Sequence, residues 1–138
     1  MSQFVTFTLG GGLYGVAVTR VQEALRAHTR TRVPLAPVGV AGLVNLRGQV
    51  VLTVDLRARL GLEPLAEGAE PMMVVVQVDG EPVSLLVDEI GDVVDVGPEA
   101  FESPPDTLDA RLRAVILGAY KLDAELLLVL DVDSAAAA

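Results

Sequence analysis

The sequence predicts an all-β fold built from two similar small β modules. Hydrophobic residues make up 51% of the 138 residues, but the aromatic ones are only three phenylalanines and two tyrosines. Valine, leucine, isoleucine and alanine must therefore fill the core, and valine at this density favours strands. Strand-like stretches recur along the chain, long helical periodicity is missing, and an early part of the chain is repeated later.

Four stretches have the composition of strands, and each is bounded by Gly, Asp or Pro. They are residues 4–9, 49–54, 82–87 and 125–130. Helical signals are short. Residues 56–60 follow Asp55, which can cap a helix, and precede Gly61, which suits a left-handed stop. We predict one helical turn there and a second over Val40 to Val44.

An internal repeat appears when residues 4–25 are laid over residues 73–94 without a gap. The shared pattern is a hairpin, in which a strand, a glycine turn and a second strand follow one another. Residues 49–56 likewise fall on 125–132, with the extra residues of the second copy expected in a turn around residues 121–124. Chance matching of valine-rich strands is the alternative explanation. Matched blocks in the same order favour two modules.

The modules are predicted to span residues 4–56 and 73–132 of a single domain covering residues 1–138. Closing each module into a barrel of about five strands would remove most of the exposed strand edges.

The charge distribution bears on the class of partner. The net charge of −9 disfavours nucleic acid and anionic membranes, because affinity for both depends on basic residues. Residues 1–66 carry +4 and residues 67–138 carry −13. Either the two halves pack together and partly compensate, or opposite ends of the molecule bind different partners.

The chain has no cysteine, which excludes disulfides and thiolate sites and is compatible with a reducing cytoplasm. No apolar run approaches the roughly 18 residues of a membrane helix, and the first residues lack the features of a signal peptide. We therefore expect a cytosolic protein.

Residues that could carry out catalysis or hold a metal or cofactor are scarce. The only histidine, His28, has no second ligand for a metal, and residues 10–12 lack the Gly-Lys-Ser/Thr of a phosphate loop. Acidic residues cluster near Asp88, and Asp131 and Asp133 would share one face of a strand. We expect these carboxylates to be solvated rather than catalytic, and predict no enzyme activity, no metal and no cofactor.

An arginine interrupts the apolar and turn-forming stretch that leads to Arg57 in residues 40–57. This residue is Arg47, and the neighbouring Asn45 and Gly48 predict a tight turn in which Gly48 has a positive φ. Arg47 either marks a solvated turn or presents a guanidinium that orients a protein contact.

Several motifs, in this order and spacing, resemble the CheW family of chemotaxis coupling proteins. They are Phe7-Thr-Leu-Gly10 with Tyr14-Gly-Val, Val21-Gln-Glu23, Gly42-Leu-Val-Asn-Leu-Arg-Gly48, Val54-Asp-Leu-Arg57, and Leu86-Val-Asp88 leading to Asp92-Val93. The resemblance implies two intertwined SH3-like five-stranded barrels. It also implies a scaffold that binds the regulatory domain of a CheA histidine kinase and the cytoplasmic tip of chemoreceptors in arrays at the membrane.

The resemblance assigns residues to each partner. Those expected at or near the kinase are Val18, Val21, Glu23 and Gly42, and those expected to face the receptor are Asn45, Arg47, Met72 and Val93. Ordinary core packing is the alternative for the three valines.

Two departures from the family pattern stand out. Leu52 replaces a frequent proline, and the ending at residues 134–138 leaves little room for a C-terminal helix. The same fold could instead serve a pilus-motility or developmental pathway, and a small β-barrel hydrolase or ligand-binding protein is the alternative from a different class.

Overall fold

The computed structural model describes residues 2–26, 39–66, 68–123 and 125–136, and strands dominate them. The all-β prediction is confirmed. The strands are β1 (Ser2–Leu9), β2 (Gly12–Ala17), β3 (Val21–Arg26), β4 (Val40–Leu46), β5 (Gln49–Asp55), β6 (Met72–Val78), β7 (Glu81–Val87), β8 (Glu89–Val96), β9 (Phe101–Glu102), β10 (Ile116–Lys121) and β11 (Leu126–Leu130).

Helices in the described residues are short, as the sequence predicts. They are α1 (Leu56–Arg59), α2 (Ala110–Arg113) and α3 (Val132–Ala136), together with single 3-10 turns at Val18–Arg20 and Pro98–Ala100. The helix predicted after Asp55 is confirmed, because the Asp55 carboxylate accepts a hydrogen bond from Ala58 N and Gly61 has φ +75°. None of the helices in these four segments is long and apolar enough to cross a membrane.

The strands form two sheets. The first has the order β8-β1-β2-β11-β10-β9 and the second has the order β3-β6-β7-β5-β4. Each sheet combines a hairpin from one half of the chain with strands from the other half, so the two halves are intertwined. This arrangement fits two SH3-like barrels, as expected from the family resemblance. The first sheet has one strand more than the five expected, the two-residue β9.

Strand registers repeat between the sheets with the offsets of the sequence repeat. Phe4 lies opposite Ala17 in the β1–β2 hairpin, and Met73 lies opposite Leu86 in the β6–β7 hairpin, 69 residues further on in each case. The parallel strand pairs are related in the same way. Tyr14 of β2 lies opposite Leu128 of β11, and their counterparts in the other sheet, Val83 of β7 and Leu52 of β5, also lie opposite each other. The two hairpins therefore have equivalent positions. Their division into modules 4–56 and 73–132 stays a prediction.

Apolar side chains from both sheets share one core. It includes Phe7 and Tyr14 of the first sheet, whose rings stack with centroids 5.8 Å apart, and Val74, Val76 and Leu85 of the second sheet. A second cluster lies within the second sheet and a third within the first. The shared core joins the two sheets.

The second predicted helical turn, over Val40 to Val44, is wrong. These residues belong to β4, which pairs with β5 from Val40 opposite Val54 to Leu46 opposite Gln49. Burial alternates there, with Val44 and Leu46 inside and Asn45 exposed. The period of two and the strand preference of valine outweigh the weak local helical signal.

Candidate protein-binding site

The β4–β5 hairpin ends in a two-residue turn formed by Arg47 and Gly48. Their φ values are +51° and +83°, the pattern of a type I′ turn, whose twist matches that of the flanking strands. The Asn45 side-chain oxygen accepts a hydrogen bond from Gly48 N at 3.0 Å, which pins the turn. The predicted tight turn with a positive φ at Gly48 is therefore confirmed.

Arg47 extends from this turn into solvent, with 80% of its side chain exposed. Its Nη1 donates to Glu23 Oε2 on β3 at 2.8 Å, and the Glu23 side chain is only 18% exposed. The ion pair fixes the direction of the guanidinium but leaves most of its surface in water. An arginine held in this way can orient a partner that offers a carboxylate or a carbonyl oxygen.

The other residues assigned by resemblance lie as follows. Val18 is half-buried in the 3-10 turn before β3, and Val21 is half-buried on β3 against the shared core. Gly42 lies on β4 beside an irregularity in its pairing, and Met72 begins β6 opposite Arg26. Core packing accounts for part of the surface of Val21.

Val93 differs from the rest of the set. It lies on β8, an edge strand of the first sheet, and is 54% exposed, so core packing does not account for it. Of the other seven residues, six lie on the second sheet or its β4–β5 turn, and Val18 lies in the turn leading into that sheet. The ion pair between Glu23 and Arg47 connects the two sets, because Glu23 is expected at the kinase and Arg47 is expected to face the receptor.

Val50 was not singled out from the sequence, yet it is 64% exposed. It lies opposite Asn45 in the β4–β5 pair, beside the turn that carries Arg47. The sequence places it in a continuous apolar run, where burial is the default expectation. An exposed branched side chain next to an exposed guanidinium gives this end of the hairpin both apolar and charged character.

Arg57 and Asp88 form a largely buried ion pair. Arg57 Nε donates to Asp88 Oδ1 at 2.7 Å and Nη2 donates to Oδ2 at 2.6 Å, while Nη1 donates to the Glu63 carbonyl at 2.6 Å. Gly10 N also donates to Asp88 Oδ2, at 2.9 Å. The hydrogen bonds from Arg57 lower the pKa of Asp88, and those to Asp88 raise the pKa of Arg57.

A carboxylate that is already paired and has a lowered pKa is a poor general base at neutral pH. A cleft of about 310 Å³ lies beside this ion pair and is lined by Arg57, Asp88 and residues 64–66 of the loop after α1. Arg57 and Asp88 already satisfy each other, and the third charged lining residue, Asp55, caps α1, so the geometry gives the hydrolase or ligand-binding alternative no support.

Asp131 and Asp133 do not lie side by side on a strand, so that prediction is wrong. Asp131 precedes α3 and accepts hydrogen bonds from Ser134 N and Ser134 Oγ, and Asp133 lies within α3. Burial of Val132 and Ala135 in the shared core favours this short helix, for which the sequence left little room. Among the described residues no group of acidic or histidine side chains could hold a metal, and His28 lies outside them.

Comparison with known proteins identifies the family. The model of the CheW-like domain matches residues 3–138. The chemotaxis protein CheW of Treponema pallidum is 31% identical over 134 residues, covering 94% of this chain and 79% of that protein. The crystal structure of the scaffolding protein TtCheW from Thermoanaerobacter tengcongensis superposes with a TM-score of 0.83 at 27% identity, covering 94% of this chain and 88% of that one.

A weaker match bears on the alternative pathway. Protein PilI of Pseudomonas aeruginosa is 26% identical over 116 residues, covering 84% of this chain and 65% of PilI. Identity and coverage are both higher for the Treponema protein, and the match to the domain model spans nearly the whole sequence. This chain belongs to the CheW-like domain family.

Proposed function

We propose that this chain is a non-catalytic adaptor that couples chemoreceptors to a CheA-type histidine kinase in a chemosensory array. The observation that carries the proposal is the match to the CheW-like domain over residues 3–138, together with a fold that superposes on a scaffolding protein. The paired state of Asp88 and the capping role of Asp131 support a binding function over catalysis. The adaptor works in the cytoplasm and reaches the membrane through its partners.

The receptor contact is centred on Arg47. Asn45 holds its turn, Glu23 fixes its direction, and most of its side chain is exposed. Met72 and Val93 complete the proposed receptor contact, and the exposure of Val93 supports its inclusion. A helical receptor tip would meet apolar side chains on both sheets and one oriented cation.

The kinase contact uses Val18, Val21, Glu23 and Gly42. The half-buried state of both valines leaves part of each side chain on the surface, and Gly42 has φ +139°, a conformation that L-residues rarely adopt. A side chain at position 42 would therefore strain β4 as well as alter the contact surface.

Charge reversal at Arg47 tests the receptor contact. Arg47→Glu should weaken pull-down of receptor cytoplasmic fragments about tenfold or more, because the guanidinium is lost and a carboxylate faces Glu23. The melting temperature should change little, because the side chain is mostly in water. Lys121→Glu is the matched control, with the same charge change on an exposed residue at the end of β10. Undiminished receptor binding by Arg47→Glu would disprove the role of this turn.

Service in a pilus-motility or developmental pathway is the second candidate, and the weaker match to PilI is the observation in its favour. The two candidates share the fold and the type of contact and differ in the partners. Parallel pull-downs with receptor and kinase fragments from each type of pathway in the source organism would separate them.

A further inference from the structure

Helices α1 and α3 occupy equivalent places in the internal repeat and begin in the same way. Asp55 caps α1 by accepting from Ala58 N at 3.3 Å, and Asp131 caps α3 by accepting from Ser134 N, also at 3.3 Å. The cap and its donor are both displaced by 76 residues, the offset that relates β5 to β11. The two helices are therefore structural counterparts.

The second residue of each helix forms an ion pair, but the charges are reversed. In α1 it is Arg57, which pairs with Asp88 directly after β7. In α3 it is Asp133, whose Oδ1 accepts from Nη2 of Arg20 at 2.6 Å. Arg20 lies in the 3-10 turn that follows β2. Strands β2 and β7 are themselves equivalent in the repeat. Arg20 lies one position beyond Thr19, the counterpart of Asp88 in the repeat. The molecule thus contains two similarly placed pairs of opposite polarity, which we call the α1 clasp (Arg57–Asp88) and the α3 clasp (Arg20–Asp133).

Both clasps link the two sheets. In the α1 clasp, Asp88 connects β7 of the second sheet to β8 of the first, and it also accepts from Gly10 N in the β1–β2 turn of the first sheet. In the α3 clasp, Arg20 donates to Asp133, which follows β11 of the first sheet, and to the carbonyl of Gln77 on β6 of the second sheet. Helix α3 also packs against β6.

The two clasps differ in exposure. The side chains of Arg57 and Asp88 are 17% and 16% exposed, whereas those of Arg20 and Asp133 are 35% and 64% exposed. Water and salt screen exposed pairs strongly, and their contribution is correspondingly small. The α3 clasp is therefore the weaker of the two and opens more readily.

We propose that Arg20 is a positioning residue, which through the α3 clasp holds α3 on β6 and fixes the segment from Val18 to Val21 for kinase binding. Arg20 is the last residue of the 3-10 turn and lies between these two residues of the proposed kinase contact. Its guanidinium ties that segment to both sheets at once. Opening the clasp frees the segment and α3 together. The inference rests on the proposed function.

Hydrogen–deuterium exchange on the isolated protein tests the clasp independently of any partner. Arg20→Asp and Asp133→Arg each place like charges together, and each should speed exchange in α3 and in residues 18–21 about two- to fivefold. The double variant restores an opposite pair with the polarity of the α1 clasp and should recover most of the protection in α3, but only part of it in residues 18–21, because the hydrogen bonds from Arg20 to the Gln77 carbonyl stay lost. Glu81→Arg, with the same charge change as Asp133→Arg on an exposed residue of β7, should leave both segments unchanged.

Binding measurements on the same four proteins test the positioning role. The single variants should bind the kinase regulatory domain about two- to fivefold more weakly, with partial recovery in the double variant, while receptor binding stays within about twofold. This split separates positioning from a general loss of fold, which would weaken both partners.

Each possible outcome decides the inference. Unchanged exchange in both single variants refutes the clasp. Faster exchange with unaltered kinase affinity refutes positioning. If the unmodified chain fails to bind the kinase at all, the proposed function fails and the positioning role with it, whereas the exchange data still decide whether the clasp holds α3.

Discussion

Replacing Asp88 with asparagine removes the carboxylate from the α1 clasp while keeping the shape of the side chain. Two charge-assisted hydrogen bonds from Arg57 and one hydrogen bond from Gly10 N meet this group. Breaking a buried ion pair costs about 3–5 kcal/mol and breaking an exposed one costs about 0–1 kcal/mol. Because a small part of each side chain reaches solvent, we expect Asp88→Asn to lower the free energy of unfolding by about 2–3 kcal/mol at pH 7.

Urea denaturation followed by circular dichroism measures this loss, and a double-mutant cycle with Arg57→Gln isolates the pair. The coupling energy should be about 1.5–3 kcal/mol. Asp95→Asn is the control, an exposed aspartate on β8 whose replacement should change stability by less than about 0.5 kcal/mol. A coupling energy below about 0.5 kcal/mol would refute the conclusion that the α1 clasp stabilises the joined sheets.

Two further predictions concern stability. Thr53 Oγ1 and Ser84 Oγ are buried without a hydrogen-bond partner in the described structure, and the two residues face each other on β5 and β7. Thr53→Val and Ser84→Ala should therefore each raise the free energy of unfolding, measured in urea, by about 1 kcal/mol. A decrease instead would indicate a water that bridges the two hydroxyls. Folding lowers the pKa of Asp88, so below about pH 4 the unfolded chain binds a proton at this residue that the native state does not. The free energy of unfolding therefore decreases as the pH is lowered, until Asp88 is protonated in the native state as well. In acid denaturation Asp88→Asn should lose stability less steeply than the unmodified protein, and identical slopes would contradict this linkage.

Features set by neighbouring residues were predictable from the sequence. The turn at Arg47 and Gly48 follows from Asn45 and the glycine, and α1 follows from the Asp55 cap, because these interactions span three residues. The strands followed from valine content. These are local preferences that the tertiary structure retains.

Features set by distant contacts were not predictable. Helix α3 depends on burying Val132 and Ala135 in a core shared by both sheets, whereas the alternating aspartates suggested a strand. Arg57 meets Asp88 across 31 positions and Arg47 meets Glu23 across 24, so no local pattern reveals either pair. Val50 reads as buried in its apolar run, and only the pairing of β4 with β5 shows that it faces solvent.

Co-sedimentation with both partners present tests the central claim most directly. Receptor cytoplasmic fragments assembled on vesicles are pelleted with the kinase, with and without this chain. We predict that the chain pellets with the receptor and that the amount of kinase in the pellet rises severalfold when the chain is present, with Arg47→Glu abolishing the rise. An amount of pelleted kinase that does not depend on the chain would contradict its role as a coupling adaptor.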